Sequence, residues 1–328
     1  MEKARAPLHP RRTGKVCSAC YVGIIGSRNR RGFETLTTEN ATSISFGFLP
    51  YKWEIQFENG RIIPIPQFDR ALKYVEKLIN KDEYVYPPIT KEVETDLNWT
   101  RKRTVPKTKR PAFLFGLPPS HDLHILPIKP ESNIREGSAG FIVHLLAFLF
   151  RTRLQFSDWY FDGRIPVKRH SPQVHNAAQA GQYISLAYKV WSSWPERERK
   201  RFVNILYMFS RGAIYRWDWE EFIIQYMVLD TCWKMAEKLF GLRSKGHAER
   251  VEVLCKRFSL IQFEKTVDIK EMVRLRNGLF HETLWHDARP GATLGNLPYH
   301  IPTVMEHYLT GPLILGLIQQ GAKEQKLV

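Results

Sequence analysis

The sequence predicts an α+β module over residues 1–164 followed by an all-α bundle over residues 165–328. Three observations lead there. Up to about residue 156, short alternating runs rich in Ile, Phe, Thr and Tyr are broken by Gly and Pro turn signals. Beyond Arg164-Ile165-Pro166-Val167 the apolar residues recur with the helical period. A length of 328 residues suits two domains of ordinary size, each able to bury a core. Hydrophobic residues at 43%, aromatics at 12% and charged residues at 25% exclude a largely disordered chain.

The net charge of +16 points to a polyanionic partner, since like charge opposes a compact state unless something offsets it. Residues 1–31 read as a basic arm, with eight Lys or Arg against the single acid Glu2. Four cysteines in a chain of this length do not make a disulfide framework. Cys17 and Cys20 form a lone C-x-x-C that Cys232 and Cys255 do not repeat, so a four-ligand zinc site is not expected. Residues 1–15 lack the apolar stretch of a secretory signal, and the apolar runs at 139–150 and 313–318 are too short to span a bilayer. A cytoplasmic protein without metal, cofactor or membrane partner is the expectation.

In the first half, Trp53-Glu-Ile-Gln-Phe-Glu-Asn-Gly-Arg-Ile-Ile reads as a hairpin turning at Asn59-Gly60, ended by Pro64 and Pro66. Residues 68–79 carry Phe68, Leu72, Val75 and Leu78 or Ile79 at helical spacing. Residues 81–111 lose periodicity and read as a loop. Within it Arg101, Lys102, Arg103, Lys107, Lys109 and Arg110 occur without an acid among them, a candidate RNA-binding cluster or a solvated loop that only aids solubility. Residues 113–117 and 123–128 suggest two more strands, 138–150 a buried helix and 154–156 a last strand.

In the second half, helices are expected from Pro172 to about residue 191, over 196–211, over 219–240 behind an Asp218 cap and before Gly241, over 247–258, over 269–285 and over 304–320. The helix over 219–240 is apolar on nearly every side, which suits the centre of a bundle. Residues 286–302, with Pro290, Gly291, Gly295 and Pro298, form a long loop directly after the helix over 269–285, a place where function tends to gather. The Trp and Tyr residues of the bundle, at helical spacing, read as core.

One stretch breaks the pattern of its own helix. At roughly 100° per residue Met272, Val273, Leu275, Leu279 and Phe280 share an arc, and Arg276 sits in the middle of it. A guanidinium there must snorkel out or find an acceptor. Asn277 and His281 are four apart and share the edge of that arc, so the three residues make one polar sector. An imidazole that titrates near neutrality beside a fixed cation and an amide suits acid–base work on a phosphate. Asp230, the single acid between Phe222 and Ala236, is the expected partner that orients Arg276 through a bidentate pair. A metalloprotease reading of His281-Glu282-Thr283-Leu284-Trp285-His286 fails, because the histidines are five apart instead of four and point about 140° from each other on an α-helix. No Gly-rich phosphate loop, nucleophile elbow or dinucleotide fingerprint occurs.

Leu275-Arg276-Asn277-Gly278-Leu279-Phe280-His281 resembles the R-N-x-x-x-H signature of HEPN domains, the Apea-like subgroup above all. The likeness covers the second half of the chain, where an aromatic-rich helix, the motif helix and a last apolar helix follow in the family's order. It implies a helical bundle that dimerises across the motif helix and acts as a metal-independent endoribonuclease, with Arg276, Asn277, His281 and Asp230 as site residues. Because some members are inactive, a module that binds RNA or a partner protein without cleaving is the competing expectation. The acidic residue of the central helix is usually Glu in that subgroup, so Asp230 is a departure. By the same analogy the protein would serve in anti-phage defence, with the first half sensing or positioning a partner and a phage-derived trigger or neutralising partner controlling it.

Overall fold

In chain order the first half forms β1 (Thr42–Gly47), β2 (Ile55–Phe57), β3 (Gly60–Pro64), α1 (Phe68–Glu76), β4 (Tyr84–Val85), β5 (Ile89–Thr95), β6 (Arg101–Pro111), β7 (Leu114–Phe115), β8 (His121–Ile125), α2 (Ser138–Leu149), β9 (Gln155–Phe156), β10 (Phe161–Asp162) and β11 (Ile165–Pro166). The rest is helical: α3 (Ala177–Ser193), α4 (Glu196–Arg211), α5 (Asp218–Phe240), α6 (His247–Phe258), α7 (Ile261–Thr266), α8 (Ile269–Asn277), α9 (Ile301–Met305) and α10 (Gly311–Glu324), with π turns at Gly278–Glu282 and Glu306–Thr310. This computed structural model describes residues 42–95, 101–111, 114–127, 131–168, 171–215, 217–291 and 301–327, with the backbone alone over 89–111. The basic arm and the Cys17–Cys20 pair lie outside the described residues. An α/β region followed by a helical region is therefore what the chain forms.

A five-stranded antiparallel sheet runs in the order β2-β3-β8-β1-β9. Its alternation is the sequence's own: Ile55, Phe57, Ile62, Leu123 and Ile125 are buried, while Gln56 and Arg61 between them are exposed. The hairpin expected after Trp53 is present, but its turn residues are Glu58 and Asn59, and Gly60 pairs with Phe57. The neighbouring strand demands that glycine, because a Cβ there would lie 2.2 Å from the His124 carbonyl oxygen.

α2 is buried along its whole length, and packs against β8 on one side and α3 and α4 on the other. Each Leu or Phe it buries contributes about 1.5–3 kcal/mol. Its N-cap residue, Gly137, has no side chain to cap the first turn, where Ala139 N donates to the Ile134 carbonyl at 3.0 Å. Glu131 reaches back to supply a cap, accepting from Ser138 N at 2.9 Å. From the second half, α3 lies on the edge strand β2 so closely that a Cβ at Gly181 would be 1.9 Å from the Gln56 carbonyl oxygen. That covers an edge otherwise open to pairing.

The change of pattern near residue 164 is thus a change of element type, not a gap in packing. Thr38–Val328 is one compact unit, and one apolar core runs from Phe46 and Ile62 through α2 to Trp233 and Leu317. Ile165 and Val167, expected at the boundary, belong to a second small core with Phe48, Val75, Val85 and Phe115. Arg164 donates to the Ala213 carbonyl at 2.8 Å and stacks on Tyr84 at 4.3 Å. Beside it Asp162 accepts from Arg153 at 2.8 Å and from Arg211 at 2.7 Å, and so ties β10 to α4.

Other expectations are corrected. Residues 81–111 contain not a loop but β4 and the paired ribbon β5–β6, whose register slips between Ile89 and Lys91, Lys91 and Val93, and Glu94 and Thr95. Backbone pairing of that kind leaves no hydropathy pattern to read. Pro172 does not open α3; Asn176 caps it, its Oδ1 accepting from Gln179 N at 2.8 Å. α7 is an addition that the sequence reading lacked. Among the described residues no helix is long and apolar enough to cross a membrane.

Candidate active site around Arg276 and His281

α8 starts at a proper cap, Asp268, whose Oδ1 accepts from Lys270 N at 2.9 Å. It packs on α6 and buries Met272 and Leu275, with Leu279 continuing the seam. The helix does not run to residue 285 as expected. After Asn277 it widens into the π turn Gly278–Glu282, and Thr283 ends it in the left-handed region at φ 58°. The segment beyond is held down twice: Trp285 is buried against Phe222 with ring centres 5.0 Å apart, and Arg274 joins Glu271 at 2.7 Å to Asp287 at 2.8 Å.

The wider turn decides the site's geometry. On an α-helix, residues five apart diverge by about 140°. In a turn with i→i+5 hydrogen bonds they come together. Arg276 Nη1 accordingly reaches His281 Nε2 at 3.0 Å, and the same nitrogen donates to Asn277 Oδ1 at 3.0 Å. The sequence placed Asn277 and His281 on one face by α-helical spacing; it is Arg276 that joins both. A guanidinium only donates, so in this contact His281 Nε2 is the acceptor. His281 and Asn277 are exposed, Arg276 is half-buried, and Phe280, expected on the buried arc, is 47% exposed.

Asp230 does not pair with Arg276. Its carboxylate turns instead to α6, 3.8 Å from His247 Nδ1 and 3.7 Å from Arg250. α5 is not apolar all round: Met227 and Lys234 are exposed and Asp230 half-buried on one stripe, where α6 supplies the cation that meets the carboxylate. Aromatic faces take the carboxylate's place. The Arg276 guanidinium lies 5.1 Å from the Phe280 ring centre and 5.9 Å from that of Tyr226.

Tyr226 joins this sector to a second one that the sequence reading missed. Its hydroxyl is 3.3 Å from His247 Nδ1, and its ring centre is 6.1 Å from the imidazole's. Burial, with Asp230 adding to it, pushes the phenol up to about 12, so it stays protonated at neutral pH. Burial lowers His247; Asp230 opposes this, while the cations Arg276 and Arg250 and the nearby His281 add to it. Nothing in the spacing of Tyr226, His247 and Arg276 links them, since they come from three helices; only His247 at the start of α6 next to Gly246 stood out as a helix boundary.

The side chains of Arg101, Lys102, Arg103, Lys107, Lys109 and Arg110 lie outside the described residues, and only their strand β6 is given. Among the described residues no three His, Cys, Asp or Glu side chains converge as a metal ligand set. No family model matches the chain, and neither a curated protein nor a solved structure does.

Proposed function

We propose that the protein is a HEPN-like endoribonuclease in which His281 transfers protons and Arg276 stabilises charge on the scissile phosphate. The observation that carries this is the 3.0 Å contact between Arg276 and His281 beside Asn277, in an exposed sector of a basic chain. It puts a fixed cation and an imidazole within reach of one phosphate. RNA brings its own nucleophile, the ribose 2′-hydroxyl. A histidine takes that proton as the 2′-oxygen bonds to phosphorus, and a second acid protonates the 5′-oxygen as the P–O5′ bond breaks, leaving a 2′,3′-cyclic phosphate and a 5′-hydroxyl. The guanidinium and the Asn277 amide hold the phosphorane oxygens. In the resting site Arg276 occupies Nε2, so the phosphate must draw the guanidinium away before that lone pair can work. Two copies meeting through their motif helices form the homodimer this reading expects, and the anti-phage role follows from the same analogy.

The test is to incubate the purified protein with total RNA, with and without EDTA, and to map the ends. Cleavage with 2′,3′-cyclic phosphate ends, unaffected by chelation and blocked by a 2′-deoxy residue at the scissile position, is expected. RNA that is bound and left intact assigns the chain to the inactive binding module instead.

A further inference from the structure

Proton transfer across a phosphate needs two groups, and the Arg276 sector offers one imidazole. A symmetry mate is one source of the second. The same chain holds another. His247 stands at the first position of α6, and its Nδ1 faces the Tyr226 hydroxyl at 3.3 Å and the Asp230 carboxylate at 3.8 Å. A carboxylate on that side favours the Nδ1–H tautomer and leaves the lone pair on Nε2, the arrangement of an oriented general base. The ring is only partly buried, as is Asp230. Arg276, whose Nη1 touches His281, lies over the same Tyr226 ring that His247 meets. Arg276 and His247 therefore both border Tyr226, which brings a second imidazole close to a phosphate held by Arg276.

Resting on the nuclease reading above, we infer that His247 is the second proton-transfer residue of the site, oriented by Tyr226 and Asp230, and that each chain carries both histidines. His247 takes the 2′-hydroxyl proton while His281, charged once phosphate has replaced its contact with Arg276, gives one to the leaving 5′-oxygen. The groups facing His247 are Tyr226 and Asp230 from α5, Arg250 from its own helix, and Arg276 and His281 from α8 and the π turn. Burial and the surrounding cations keep it neutral at pH 7, as a base requires.

The experiment compares wild type, His247→Gln, Tyr226→Phe and His281→Ala on a single-stranded RNA from pH 5 to 9, with circular dichroism to confirm that each variant is folded. His247→Gln should lose 10²- to 10⁴-fold in kcat and flatten the acid limb of the pH profile. Tyr226→Phe should lose less and shift that limb, which a purely packing role for the hydroxyl would not do. Mixing His247→Gln with His281→Ala should restore nothing, because every chain then lacks one group. Wild type that cleaves while His247→Gln keeps its kcat and its acid limb overturns this inference alone, as does recovery on mixing, which would divide the histidines between subunits. Wild type that leaves RNA intact overturns the nuclease reading and this inference with it.

Discussion

Acidification should unfold this protein through two histidines that have no part in the site. His121 is fully buried and His144 is 5% exposed; burial lowers each to about 4. Backbone carbonyls of Tyr51 and Trp53 and the Asp122 carboxylate pull His121 part of the way back. His144 sits mid-way along α2 with its ring edge-on to Tyr207 at 5.3 Å and its Nδ1 buried without a partner. A charged imidazole has no place there. In the unfolded chain both take up a proton near the ordinary value of about 6.5. Below that pH the unfolded state binds protons that the folded state refuses, so stability present above it is lost as pH falls towards 4. Between pH 7 and pH 5 linkage gives a loss of about 2 kcal/mol per histidine, or about 4 for the pair, against a typical total of about 5–15. Urea unfolding at pH 7, 6 and 5 measures it. His144→Phe keeps an edge-on ring and removes the titrating nitrogen, so the loss between pH 7 and pH 5 should fall by about 2 kcal/mol whatever the variant's stability at pH 7. His247 and His286, lowered in the same direction, contribute equally to both proteins and cancel in the difference. An identical pH dependence in wild type and His144→Phe would refute the reasoning.

Arg276→Lys should cut cleavage by more than tenfold while the fold is kept, because an ammonium lacks the planar fork that can hold Asn277 and a phosphate together; undiminished kcat would reduce Arg276 to a point charge. Asp162→Ala should destabilise by about 3–5 kcal/mol, since it takes the counter-charge from the buried Arg153 guanidinium and leaves it only the carbonyls of residues 162 and 164, and a loss under 1 kcal/mol in thermal unfolding would count against that account. Replacing Arg101, Lys102, Arg103, Lys107, Lys109 and Arg110 by Gln should flatten the salt dependence of RNA binding by about 0.7 per lost phosphate contact; an unchanged slope makes the cluster a solubility feature. Light scattering at micromolar concentration should give the mass of a dimer, and a strict monomer would remove the two-fold pairing of motif helices.

By itself the sequence determined the class of each half and most helix ends. Local rules were sufficient there: alternation in β2, β3 and β8, the αL glycine Gly241 that stops α5, and the charged, amphipathic face of α4 all act within a few residues of themselves. It also picked out Arg276, Asn277 and His281, because a cation in an apolar arc is visible without a fold. What the sequence could not carry was set by partners distant in the chain. Gly60 and Gly181 are required by backbones at His124 and Gln56, and the ribbon β5–β6 is defined by hydrogen bonds that leave no hydropathy trace. The pairing of Asp230 was misread for the same reason: which acid meets which cation depends on how α5, α6 and α8 pack, and α6 draws that carboxylate to His247 and Arg250. Tertiary packing alone also turned the α-helical spacing of the motif into a π turn, and so put His281 against Arg276 and both beside Tyr226.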